Sequence, residues 1–160
     1  MKPPVTIYSD GSSRGNPGPG GYGAILLFGN RRMEISKGYR LTTNNRMELM
    51  GIIQALKSLK SFDHPIEIFT DSKYVVNAIN EGWLNKWIKT GFAGGKKNKD
   101  LWLSYAALAA KIKNIKVKWV KGHASNALNN RCDELATAAA DGTHLAVDEG
   151  YETEAGNLFK

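Results

Sequence analysis

Apolar and polar positions alternate in three short runs near the start of the chain, residues 5–8, 22–28 and 33–41, with Gly29-Asn30 between the last two. That pattern predicts three strands joined by turns. In TTNNRMELMGIIQALKSLK, Leu49, Ile52, Ile53, Leu56 and Leu59 then fall on one helical face behind a Thr/Asn cap. IEIFTDS predicts a strand, SKYVVNAI a short helix, DLWLSYAALAAKIK a longer helix, IKVKWVKGH an alternating strand and ALNNRCDELATAAA a closing helix. Three strands followed by alternating helix and strand predict an α/β fold. Its five-stranded mixed sheet would have the first three strands antiparallel, the later ones parallel, and helices on both faces. Two segments show no clear period and are expected to move: the stretch broken by Gly91, Gly94 and Gly95, and DGTHLAVDEGYETEAGNLFK after Ala140.

Composition adds a class. A chain of 160 residues, 42% of them hydrophobic, suits one domain with a real core. No apolar run approaches the ~20 residues that cross a bilayer, and MKPP followed by VTIY lacks the apolar core of a signal peptide. A cytoplasmic protein without membrane partners is expected. The single cysteine, Cys132, cannot form an internal disulfide and sits in a helical pattern with Leu128, Leu135, Ala136 and Ala139, which predicts burial rather than reactivity.

The net charge of +7 is uneven. Residues 143–160 carry Asp148, Glu149, Glu152 and Glu154 against Lys160 alone, which divides the chain into residues 1–142 and an acidic C-terminal tail expected to be flexible. Lys86, Lys89, Lys96, Lys97 and Lys99 form a run without an acid, interleaved with Trp87 and Phe92 and preceded by Trp83. A solvated lysine face is one account of it; a polyanion-binding surface, with flat rings against sugars or bases, is the other.

IYSDGSSRGNPGPGGYGAIL offers a glycine-rich link. A phosphate loop would need Lys-Ser/Thr after its glycines and then a helix, whereas Gly23 leads into Ala24-Ile25-Leu26-Leu27, a strand. No nucleotide cofactor is expected. The glycines instead suit a tight antiparallel connection, with unusual backbone angles and room for a large ligand, while Asp10 is held on the sheet.

Four acids stand at informative places, each with an ordinary explanation. Asp10 can be a turn residue beside Gly11, Asp71 (or Ser72) a helix cap, Glu48 the partner of Asn45 in a capping box, and Asp133 a carboxylate at a positive helix end. An open α/β sheet, however, gathers reactive groups at strand ends and neighbouring helix starts. Four converging carboxylates repel by several kcal/mol, of order 4 kcal/mol per close pair, unless cations lie between them. All-oxygen donors suit Mg²⁺, with Mn²⁺ as a substitute, and two such ions can support phosphodiester hydrolysis.

DGSSRGNPGPGGYGAIL, TTNNRMELMGIIQAL, TDSKYV and WVKGHASNALNNRCDELA resemble, in order and over about the first 140 residues, the bacterial type 1 ribonuclease H family. The resemblance implies a ribonuclease H-like fold, with residues 1–142 as the catalytic domain. It also implies metal-dependent endonucleolytic hydrolysis of the RNA strand of RNA–DNA hybrids, leaving 5′-phosphate and 3′-hydroxyl ends. Asp10, Glu48, Asp71 and Asp133 would be catalytic and hold two Mg²⁺ ions with substrate, and His123 would match a mobile histidine that assists proton transfer or product departure. Gly11, Ser12, Ser13 and Asn16 would meet the RNA strand, and Asn44 and Asn45 the minor groove. The basic protrusion, with Trp83, Lys86, Trp87, Lys89, Lys96, Lys97 and Lys99, would take the DNA strand. A monomer is expected.

The chain departs from the family pattern in places. Lys73 stands where glutamine is common, which suggests a phosphate contact, and Ser13 where cysteine often stands. The protrusion is shorter and richer in glycine, so grip on DNA is expected to be weaker. Two other readings stay open: a DNA-cutting integrase or transposase nuclease on the same fold, and a noncatalytic hybrid-binding module. Asn44-Asn45 weighs against the first, and the acid quartet against the second.

Overall fold

The computed structural model describes residues 3–121 and 126–157. Strand β1 (Val5–Ser13) runs past its apolar start through Asp10 and Gly11, and β2 (Gly18–Phe28) begins inside the glycine-proline stretch. They pair antiparallel with Asp10 opposite Gly23 and Gly11 opposite Tyr22, leaving only residues 14–17 as the link. β3 (Arg31–Thr42) pairs antiparallel with β2. The chain continues through α1 (Asn44–Lys57), β4 (Ile66–Thr70), α2 (Lys73–Asn80), α3 (Trp83–Lys89), α4 (Lys99–Ala109), β5 (Ile115–Trp119), α5 (Ala127–Ala140) and α6 (Glu149–Asn157). β4 lies parallel to β1, and β5 to β4, giving the order β3-β2-β1-β4-β5. This is the five-stranded mixed sheet that the periodicity predicts. Helix α6 lies in the tail whose periodicity is unclear, while α3 ends at Lys89, ahead of the glycine-broken stretch.

The apolar stripe of α1 forms the centre of the core, where Met47, Leu49, Ile52, Ile53 and Leu56 are fully buried, and the helix packs between β1 and β2 on one side and α4 on the other. Side chains alternate between the faces of a strand, and β2 shows what each face meets. A Cβ at Gly23 would lie 2.5 Å from the Cys132 carbonyl oxygen, and one at Gly21 2.7 Å from that of Ala136, both in α5. A Cβ at Gly11, on the other face, would collide with the backbone of Met47 and Glu48 in α1. The glycines therefore let two helices approach opposite faces of the sheet closely. The expectation of unusual backbone angles through this stretch is corrected: only Gly15, at φ 88°, takes the left-handed conformation there.

The acidic tail is held by ion pairs rather than by an apolar stripe. Ala146 pairs with the edge strand β3 beside Tyr39, exchanging backbone hydrogen bonds with Gly38 and Arg40. Asp148, 2% exposed, accepts hydrogen bonds from the buried guanidinium of Arg46 (2.8 and 2.9 Å) and from Thr42 Oγ1 (2.7 Å). Arg46 also donates to Asp100 at the start of α4, and Arg40 makes a paired contact with Glu152. Charge neutralisation thus fastens α1, α4 and the tail together.

Candidate active site

Pairing of β1 with β4 ends at Ser9 opposite Thr70, so β1 projects beyond its parallel neighbour. At this step the sheet changes from antiparallel to parallel neighbours, and three elements deliver carboxylates to it. Asp10 comes from β1, Asp71 follows the last residue of β4, and Glu48 comes from α1. Each offers an oxygen, and the three lie within 4.8 Å of one another. Asp133, from α5, lines the same open depression of about 450 Å³, together with Gly11, Ser12, Asn44, Asn45, Ser72, Lys73 and Tyr74.

The ordinary explanations for these acids do not hold. Thr43 caps α1 by accepting from the Arg46 N–H, Ser72 caps α2 through the Val75 N–H, and Asn126 caps α5 through the Asn129 N–H. Glu48 is the fifth residue of its helix and Asp133 the seventh, so neither sits at the start as the motif spacing suggests. Asp10 lies inside a strand rather than at its end or in a turn. None of the four carboxylates is occupied by capping.

The environment of Asp10 and Glu48 disfavours their ionisation. Burial pushes the Asp10 carboxyl up to about 7, and the nearby charges of Asp71 and Asp133 add to the effect. Burial also raises Glu48 well above the ordinary carboxylate range, reinforced by Asp10 and Asp71. The Gly11 N–H donates to both Asp10 Oδ1 (2.9 Å) and Glu48 Oε1 (3.1 Å), which fixes the pair but leaves most of their charge uncompensated. At an effective dielectric near 20, each fully ionised close pair costs roughly 3–4 kcal/mol. Among the described residues the donor set consists of converging carboxylate oxygens, without thiolate or imidazole, and it fits a hard divalent cation.

Around the acids the structure orders the polar residues of the glycine stretch. Asn16 Oδ1 accepts from the Asn44 N–H (3.1 Å), and Ser13 Oγ donates to Asn44 Oδ1 (2.9 Å). These two residues brace the first turn of α1. With its carbonyl engaged, the exposed side chain of Asn44 presents its NH₂ as a donor group.

The basic segment forms separate concavities. Trp83, Lys86, Trp87 and Lys96 line one of about 660 Å³. Lys96 and Lys99 border another, of about 450 Å³, with Asp100 and Leu103. Lys89 and Lys97 are exposed on the same lobe. The rings divide their roles: Phe92 is buried and Trp87 packs against the core, leaving Trp83 as the open ring. Tyr74 links lobe and depression, stacking on Trp87 while its hydroxyl accepts from Asn98 Nδ2 and Trp102 Nε1. Sequence reasoning missed Tyr74, the Arg46–Asp148 pair and Trp119, whose indole N–H donates to the Asp71 carbonyl (3.2 Å). Their sequence signals are ordinary core aromatics and charges. His123 lies outside the described residues.

Comparison with known proteins gives consistent results. Residues 2–141 match the family described as RNase H. A ribonuclease H of Desulforamulus reducens is 48% identical over 148 residues, covering 90% of this chain and 92% of that protein. Among solved structures, LC9-RNase H1, a type 1 RNase H with the type 2 active-site motif, superposes with a TM-score of 0.80. It is 30% identical, and the match covers 97% of this chain and 82% of the other. LC11-RNase H1, solved in complex with RNA/DNA hybrid, gives a TM-score of 0.66 at 26% identity, covering 86% and 96% respectively.

Proposed function

Because this chain belongs to the RNase H family and is an endoribonuclease, we propose that it hydrolyses the RNA strand of RNA–DNA hybrids in a cation-dependent reaction at Asp10, Glu48, Asp71 and Asp133. The observation that carries this reading is the convergence of Asp10, Glu48 and Asp71 oxygens within 4.8 Å in an open depression. Asp10, Glu48 and Asp71 would hold the ions, Mg²⁺ first and Mn²⁺ as a substitute, with Asp133 completing the set. Bound there, divalent cations supply Lewis acidity toward the scissile phosphate and lower the pKa of the attacking water.

The chain's own residues position the substrate. Asn44 and Asn45, at the first turn of α1, offer amides to a minor groove that displays 2′-hydroxyls and base edges. Gly11, Ser12, Ser13 and Asn16 shape the adjacent wall for the RNA backbone, and Lys73 meets a phosphate. Trp83, Lys86, Trp87, Lys89, Lys96, Lys97 and Lys99 receive the DNA strand through charge and one open ring. In the step itself one water is consumed and its oxygen joins phosphorus. The P–O3′ bond breaks, and the 3′ oxygen departs as a hydroxyl, leaving a 5′-phosphate. His123 assists proton transfer or product departure.

Residues 1–142 form the catalytic domain, buttressed by the tail through Asp148 and Glu152. Among the described residues no helix is long and apolar enough to cross a membrane. We read the protein as a cytoplasmic monomer.

The test is cleavage of labelled RNA–DNA, RNA–RNA and DNA–DNA duplexes with Mg²⁺, Mn²⁺ or chelator. Cutting of RNA only within the hybrid, abolished by chelator, is expected. Equal cutting of duplex DNA would favour an integrase-like nuclease, and binding without cutting a hybrid-binding module.

A further inference from the structure

Trp119 is 44% exposed at the last position of β5, beside the site, where burial gives no reason for a large ring. It pairs with Thr70, and the next residue, Val120, donates its N–H to the Thr70 carbonyl (2.9 Å), so the backbone here is tied to the end of β4. Both parts of the indole are engaged. The N–H donates to the Asp71 carbonyl at 3.2 Å, and the ring face carries the Lys73 ammonium 4.7 Å from its centroid. Lys73, the first residue of α2, borders the acid-lined depression. We propose that Trp119 is a positioning residue with two separable tasks: its N–H fixes Asp71 for turnover, and its ring holds Lys73 ready for a phosphate of the substrate backbone.

Without the ring, Lys73 and the Asp71 backbone would each lose a restraint. A lysine has a flexible four-carbon stem and a compact charge, and beside several carboxylates it is drawn inward, where it would occupy their negative charge. The electron-rich indole face holds the ammonium outside the cluster. Restricting the side chain beforehand lowers the ordering cost of meeting a phosphate. The N–H acts on the backbone at Asp71, where a shift of about 1 Å is enough to cost roughly 10²-fold in rate.

The inference rests on the hybrid-cleavage reading, and three single variants and one double variant separate the two. Hybrid affinity is measured in chelator by fluorescence anisotropy against salt, and turnover at saturating hybrid with Mg²⁺. Lys73→Met should lower affinity several-fold, flatten the salt slope by roughly 0.7–0.9 and change turnover much less. Trp119→Phe keeps a ring face but removes the N–H, so affinity should stay within about twofold while turnover falls roughly 5- to 10-fold. Trp119→Leu should impair both, and Trp119→Leu with Lys73→Met should bind no more weakly than Lys73→Met alone. Independent affinity decreases in the double variant, or full turnover in Trp119→Phe, would overturn the proposal. Trp119→Phe and Lys73→Met are mild enough to decide it even if Trp119→Leu fails to fold. A wild-type protein that binds hybrid but does not cut it would instead overturn the functional reading.

Discussion

Replacing Asp10 with asparagine should stabilise the cation-free protein while removing most of its turnover. In the folded chain the Asp10 carboxyl is pushed from 3.8 to about 7, first by burial and then by Asp71 and Asp133. A raised acid binds its proton more tightly in the folded state than in the unfolded one. Ionisation of Asp10 therefore costs nothing below about pH 4, costs more as pH rises from about 4 to 7, and reaches its full cost above about pH 7. At about 1.4 kcal/mol per pH unit, that interval sets an upper limit of roughly 4 kcal/mol. Asparagine keeps the shape and the oxygen that accepts from Gly11, so most of the gain should be realised, about 2–4 kcal/mol or roughly 5–15 °C in Tm for a chain of this size. Thermal and urea unfolding of both proteins in chelator, from pH 4 to 9, measures it. The gain should be absent near pH 4, full above pH 7, and smaller in Mg²⁺, which binds the folded wild type and stabilises it by mass action. A difference that does not change with pH, or a variant less stable at pH 8, would refute the claim that Asp10 is buried among like charges.

Other variants test the surroundings. Replacing Lys96, Lys97 and Lys99 together with alanine should weaken hybrid binding without a new sequence preference and flatten the salt dependence by roughly 0.7–0.9 for each phosphate no longer neutralised; an unchanged slope would return them to a solvated face. Asp148→Asn leaves the Arg46 charge buried with Asp100 as its remaining partner, so urea unfolding should show a decrease in stability of about 3 kcal/mol. His123→Ala should slow turnover by roughly 10²-fold or less at constant affinity, with the deficit shrinking from pH 6 to 9 as hydroxide replaces the missing base.

Much of this arrangement was legible in the sequence because it follows from local pattern. The stripe from Leu49 to Leu56 identified α1, alternation identified β5, and their order implied the mixed sheet. The four acids could be selected as types, but not freed from ordinary roles. Asn45 with Glu48 has capping-box spacing, and only the observed bond from the Arg46 N–H to Thr43 shows that the cap lies elsewhere. The glycines misled for a similar reason. Sequence marks them as flexible, whereas Gly11, Gly21 and Gly23 sit in strands and are required by backbone from distant helices. Helix α6 and the Arg46–Asp148 pair were invisible because ion pairs between residues 102 apart leave no period. Trp119 was hidden because its role depends on register with Thr70, which no local signal specifies.

If the acid cluster performs the hydrolysis, Asp71→Asn must lose cleavage while keeping the substrate. Single-turnover cleavage of an RNA-labelled hybrid by wild type and variant is measured at saturating protein with Mg²⁺, with hybrid affinity and folding followed in parallel. Binding should be as tight as wild type or tighter, with the cleavage rate down roughly 10³-fold, equivalent to about 4 kcal/mol of transition-state stabilisation. A folded variant that cleaves the RNA strand at the wild-type rate would contradict a hydrolytic role for the cluster.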